Sequence, residues 1–205
     1  MGRTGRKRKR KNRIIEAIDF NLIELQKWLK LKNMKLKVCN FADTGRGIKC
    51  MDRISKGDVL VTIPFQFLIH VETYCDIISI LNFKKCLPQL IIATFLIYET
   101  HLGKSSRFIH YLKVLPKVYT TLYYCKENEI QELPKFMSVP LGLQAASIKD
   151  QFHNLQEKIK EKTCPHCDNA LEDFYTIKNF EWAWFTVNTR AVHYKVIIFD
   201  FVYQI

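Results

Sequence analysis

No acidic residue precedes Glu16, and no apolar leader opens the chain. The first absence leaves Arg3, Arg6, Lys7, Arg8, Lys9, Arg10, Lys11 and Arg13 without counter-charge in "RTGRKRKRKNR". The second argues against a secreted chain. A bilayer-spanning stretch is also missing. The most apolar segment, "LPQLIIATFLIYETHL", is interrupted by Pro88 and Gln89 and is too short for a span of about 20 residues. No membrane partner is therefore expected. The cysteines number seven, an odd count scattered along a chain with no secretory leader, which favours reduced thiols over disulfides. The expected setting is nucleus and cytoplasm.

What is present is enough for a core. A length of 205 residues with 48% hydrophobic content suits one sizeable domain or two small ones. The net charge of +12 belongs mostly to the tail, because outside those eight residues 24 basic face 20 acidic side chains, or +4. A like-charge run cannot bury itself. It serves equally as a solvated end or a nuclear-import signal, and a weak nucleic-acid contact through it would be salt-sensitive and sequence-independent.

Asn21 followed by Glu24 has capping spacing, and Leu22, Leu25, Trp28 and Leu29 recur at helical intervals, which predicts a helix over 21–32. Short β-prone pieces follow: 48–51, then "DVLVTIP" after the Lys56-Gly57 turn, with Val59, Val61 and Ile63 on one face and an edge at Pro64. From Gln89 the period changes and "QLIIATFLIYETHL" reads as a buried helix. "SSRFIHYLKVL", 105–115, predicts a short helix stopped by Pro116. Ser147 with Asp150 predicts the start of an amphipathic helix bearing Ile148, Phe152, Leu155 and Ile159, and a last helix is expected over 176–192. Strands and helices are segregated rather than alternating, so the fold class expected is α+β.

Two short patterns carry candidate chemistry. In "FADTGRGIKC", Gly45 and Gly47 flank Arg46. Neither the lysine and hydroxyl of a P-loop nor a third glycine opening a helix follows, which excludes the common nucleotide loops. The glycines either form a turn or let a backbone approach a ligand. In "CPHC", Cys164 and Cys167 have zinc-ligand spacing, yet there is no second CxxC. His153 or Cys125 would have to be supplied by folding, so the expectation is a turn with two free thiols and no metal. Trp182, Trp184 and Phe185 are expected in the core rather than in a substrate cage.

Three runs in order, "GRGI…ISKGDVLVTIP", "ATFLIYETHLGKSSRFIHYLKVLPKVY" and "FEWAWFTVNTRAV", resemble the SET-domain protein methyltransferases with a helical insertion, the branch of the Rubisco large-subunit methyltransferase. The resemblance implies a partial SET-domain β-fold with an inserted all-helical subdomain. It divides the chain into a basic tail (1–20), an N-terminal helix and first SET part (21–87), a helical insertion (88–180) and the start of a second SET half (181–205). It further implies S-adenosylmethionine as cofactor and transfer to a protein lysine, with histone among the candidate substrates. By that resemblance Thr44, Gly45, Arg46 and Arg190 line the cofactor. Many relatives carry an acidic residue where this chain has Thr44. An arginine suits the cofactor's carboxylate because its planar fork donates two parallel hydrogen bonds.

The same resemblance calls for a later Asn-His motif and a tyrosine beyond it. No Asn-His dipeptide occurs; His153-Asn154 has the reverse order on a helix and reads as a surface pair. After "VNTRAVHYK" the chain reads "VIIFDFVYQI", a β-prone run unlike the family's continuation, in which Tyr203 is a terminal strand residue. The expectation is a C-terminally truncated SET domain with no catalytic residue present and little or no catalysis. The alternative is a non-catalytic partner-binding or regulatory protein.

Overall fold

The computed structural model describes residues 14–15, 19–30, 36–73, 76–83, 86–192, 195–198 and 201–204. The basic residues Arg3 to Arg13 lie outside them. The chain divides into two units, 1–67 and 68–205.

In the first unit, β1 (Ile14–Ile15), β2 (Leu36–Phe41) and β3 (Gly45–Cys50) form an antiparallel sheet in that order. β2 and β3 are a hairpin in which Phe41 pairs with Gly45 and Asn40 with Arg46. The helix α1 (Phe20–Trp28) starts earlier and ends earlier than the sequence predicts. Its N-cap is Asp19 rather than Asn21, because the Asp19 carboxylate accepts from the backbone N–H groups of Asn21 (3.0 Å) and Leu22 (3.4 Å). Glu24 pairs instead with Lys27 at 2.9 Å. The expected strand over 58–64 does not form: the segment is irregular, and Val59, Val61 and Ile63 stand 76%, 40% and 40% exposed. A β-prone run becomes a strand only when a neighbour takes up its backbone groups, and no strand among the described residues pairs with it.

The second unit is mostly helical. Its elements are α2 (Asp76–Leu81), α3 (Pro88–Leu102), α4 (Ile109–Leu112), α5 (Glu127–Gln131), α6 (Lys135–Ile159) and α7 (Ile177–Arg190), followed by the hairpin β4 (Lys195–Ile198) and β5 (Phe201–Gln204). α3 is the central element. Proline supplies its first residue without losing a needed N–H, and Leu90, Ala93, Phe95, Leu96, Ile97 and Tyr98 are buried around its circumference, as a continuous apolar helix requires. It packs on α7, whose Phe180, Ala183, Trp184, Phe185 and Val187 complete the core, as expected of Trp184 and Phe185. Trp182 is half-buried and donates its Nε1–H to the Pro116 carbonyl at 2.8 Å.

Two helices differ from expectation. The helix predicted over 105–115 shrinks to α4, with a single 3-10 turn at Gly103–Ser105 before it; Ser106 is drawn away to donate its hydroxyl to Glu99. α6 begins twelve residues before Ser147, which is therefore interior and not a cap. Its second half keeps the predicted register: Ile148, Leu155 and Ile159 are buried and Phe152 packs on Phe180 with ring centroids 5.4 Å apart. His153 and Asn154 lie on its exposed face.

Candidate functional site

Thr44 ends the β2–β3 turn and Gly45 and Arg46 open β3, in the first unit. Three residues, 42–44, connect the strands, and Gly45 follows in the left-handed region at φ +71°. Gly45 is also the first residue of β3, so the left-handed turn is made where the chain enters the strand, a conformation that glycine takes without strain. A Cβ at Gly45 would meet no atom within 4 Å, so the turn is open on that side. Gly47 has another reason for its identity: a Cβ there would lie 2.9 Å from Cε2 and 3.1 Å from Cδ2 of Phe41. Thr44 is exposed. Arg46 is about half exposed, 48% by side chain, and its Nη2 lies 3.4 Å from Asp19 Oδ2. Asp19 thus caps α1 with one oxygen and faces Arg46 with the other.

Arg190 closes α7, in the second unit. The preceding polar side chains are spent on the helix backbone: Thr186 Oγ1 donates to the Trp182 carbonyl (2.8 Å), Asn188 Nδ2 to Trp184 (2.8 Å) and Thr189 Oγ1 to Phe185 (2.6 Å). Arg190 Nη1 donates to Tyr119 Oη (2.9 Å) and Thr189 Oγ1 (2.7 Å), and the guanidinium carbon lies 5.4 Å from the Tyr119 ring centroid. Tyr119 Oη and Thr186 Oγ1 are 2.8 Å apart. Because the Thr186 proton goes to a carbonyl, the tyrosine donates here, and the chain of donors runs from Arg190 through Tyr119 and Thr186 to Trp182. Such aligned bonds reinforce one another and fix the head group. Burial pushes the Tyr111 phenol above its ordinary range, while the nearby Arg190 charge opposes that shift. The sequence motif singles out Arg190 but not Tyr119, which is 71 residues away and carries no local signal.

The residues at Arg190 suit the carboxylate end of S-adenosylmethionine. Nη1 is engaged, whereas Nη2 and Nε have no hydrogen-bond partner among the described residues and form the side of the guanidinium that grips a carboxylate. Of the positions that the resemblance implies, Thr44, Gly45 and Arg46 lie in the first unit and Arg190 in the second. The side chain of Tyr203, in β5, lies outside the described residues.

The CPHC segment is a tight turn between α6 and α7, held by a bridge between Thr163 and Ala170 and by Cys164 N–H donating to the Asn169 carbonyl at 2.8 Å. Asp168 takes the left-handed conformation at φ +58°. Neither His153 nor Cys125 joins the two cysteines. His101, from the last turn of α3, does: its ring lies with Cys164 and Cys167 so that their ligand atoms are all within 4.8 Å.

A small antiparallel sheet followed by a helical subdomain makes an α+β fold. The described fold matches the solved structure of Rubisco LSMT bound to AdoMet with a TM-score of 0.70 at 22% identity, covering 85% of this chain and 41% of that one. The structure bound to methyl-lysine and AdoHcy matches with a TM-score of 0.68 at 21% identity, over 82% and 39% of the two chains.

In sequence the chain is similar to SET domain-containing protein 4. It is 30% identical to the Mus musculus protein over 207 residues, 95% of this chain and 47% of that protein. Identity with the Homo sapiens protein is 29% over 208 residues, again 95% and 47%. The actin-histidine N-methyltransferase of Danio rerio is 27% identical over 75% of this chain and 26% of its own length. The chain spans about half the length of the first curated relatives it matches. No protein-family model matches it.

Proposed function

We propose that the chain is part of an S-adenosylmethionine-dependent protein-lysine N-methyltransferase. The observation that carries this is the Arg190 guanidinium, held by Tyr119 and Thr189 with two donor nitrogens to spare, in a chain with the SET fold. The cofactor would supply a methyl group on a sulfonium, ready for displacement by an amine. Arg190 would bind its carboxylate through Nη2 and Nε, and Tyr119 would keep the fork in place. In the other unit, the open face at Gly45 would admit a ligand to the backbone of the turn, beside Thr44 and Arg46.

Calorimetric titration of the 205-residue chain with S-adenosylmethionine tests this reading. Binding at one site is expected, weakened about 10- to 100-fold in Arg190→Ala, the range for a charge-assisted hydrogen-bonded contact of about 1.5–3 kcal/mol. No binding to a folded chain would favour the non-catalytic, partner-binding alternative. Methyl transfer is expected to be far slower than by a relative that carries the Asn-His motif, because no Asn-His dipeptide occurs in the sequence. A rate comparable to such a relative's would contradict that expectation.

Histone lysine as acceptor, residence in nucleus and cytoplasm, and weak nucleic-acid contact through the tail are finer proposals. The eight basic residues before Glu16 support the nuclear residence and the nucleic-acid contact, while the histone acceptor rests on the family resemblance. No helix among the described residues is long and apolar enough to cross a membrane.

A further inference from the structure

His101, Cys164 and Cys167 come from two places 63 residues apart in sequence, and folding alone brings them together. His101 sits in the last turn of α3, and Cys164 and Cys167 in the turn joining α6 to α7. The His101 Nε2 and Cys167 Sγ atoms are 3.2 Å apart. Around a tetrahedral zinc ion, with Zn–S about 2.3 Å and Zn–N about 2.0–2.1 Å, ligand atoms stand roughly 3.5–3.8 Å from one another. The observed spacings therefore need adjustments of only a few tenths of an ångström to about one ångström to enclose an ion.

The surroundings prepare each donor. The His101 ring is stacked on Phe174, centroids 3.8 Å apart and planes at 7°, which fixes its orientation. Cys164 is fully buried, and the Asp168 N–H donates to its carbonyl at 2.9 Å, so the turn is closed beneath the sulfurs. Cys167 is exposed, which provides a path for entry. A soft thiolate pair with one imidazole selects zinc over harder cations such as magnesium or calcium.

We propose that His101, Cys164 and Cys167 form a zinc site with three protein donors and a water in the fourth position. The ion would tie the C-terminal end of α3 to the turn before α7. This inference is independent of the methyl-transfer reading, since none of its residues belongs to the cofactor positions.

The test is titration of the reduced, metal-free full chain with Co²⁺, followed by Zn²⁺. One equivalent of Co²⁺ is expected to give a thiolate-to-metal charge-transfer band with visible bands of tetrahedral intensity, and Zn²⁺ is expected to displace it one for one. Cys167→Ser changes an exposed side chain and should leave the fold intact by circular dichroism while removing much of the charge-transfer band. His101→Ala should weaken Zn²⁺ affinity tenfold or more. Cys50→Ser, at another exposed cysteine, should change nothing. A folded, reduced chain with no charge-transfer band, or a band that survives Cys167→Ser undiminished, would overturn the proposal. So would a disulfide between Cys164 and Cys167 that persists under reducing conditions.

Discussion

Gly45 and Gly47 are separated by one residue and are required for unrelated reasons. At Gly45 the backbone itself demands glycine, so Gly45→Ala should destabilise by about 1–2 kcal/mol with no steric contact involved. At Gly47 the obstacle is the Phe41 ring, and Gly47→Ala should cost about 1–3 kcal/mol as overpacking does. Urea denaturation separates the two causes, because Phe41→Leu should relieve the second cost and leave the first unchanged. Glu99 supplies a pH-dependent counterpart. Burial raises its pKa above the ordinary carboxyl value, partly opposed by the hydrogen bond from Ser106. The folded state then holds the proton more tightly than the unfolded chain. Its stabilising contribution is fully present below the unfolded pKa and is lost as pH rises through the raised folded value. Melting temperatures should therefore show Glu99→Gln gaining on the native chain between pH 4 and pH 8. A gap that does not change with pH would contradict this assignment.

Among the elements, those that bury apolar residues by their own periodicity were legible in the sequence. α3 and α7 appear almost at their predicted bounds, with Thr176 as the N-cap of α7, accepting from the Asn179 N–H at 3.3 Å. Elements that depend on a distant partner were not. Residues 58–64 have strand chemistry without a pairing strand among the described residues, and His101 reaches the CPHC turn only because of how the second unit packs. Tyr119 reaches Arg190 in the same way. α6 was half legible. Its second half follows the amphipathic pattern, but its first half contains Pro140 and buries only Leu141, so local periodicity gave little signal. A proline inside a helix removes a hydrogen bond, and a segment with few buried contacts opens easily. Amide exchange should consequently be faster over 135–146 than over 147–159. Equal protection of both halves would show that the first half is held by something other than its buried contacts.

On the scale of the whole molecule, charge and fold are separable. The body carries only a small net charge, and the basic excess lies before Glu16, so deleting residues 3–13 should abolish a steeply salt-dependent nucleic-acid affinity without lowering the melting temperature. The SET-like α+β architecture was anticipated from three motifs in order, and the structural match over 85% of the chain agrees with it. The proposed function rests on Arg190 and the residues that hold it in the second unit. The most direct measurement is titration of the isotopically labelled chain with S-adenosylhomocysteine, following the backbone amide resonances of Tyr119 and Thr189, the two residues that hold Arg190. The account predicts that both move, saturate together and respond only at about 10- to 100-fold higher ligand in Arg190→Ala. Resonances that stay fixed at millimolar ligand in a folded chain, or a response at neither position, would contradict it.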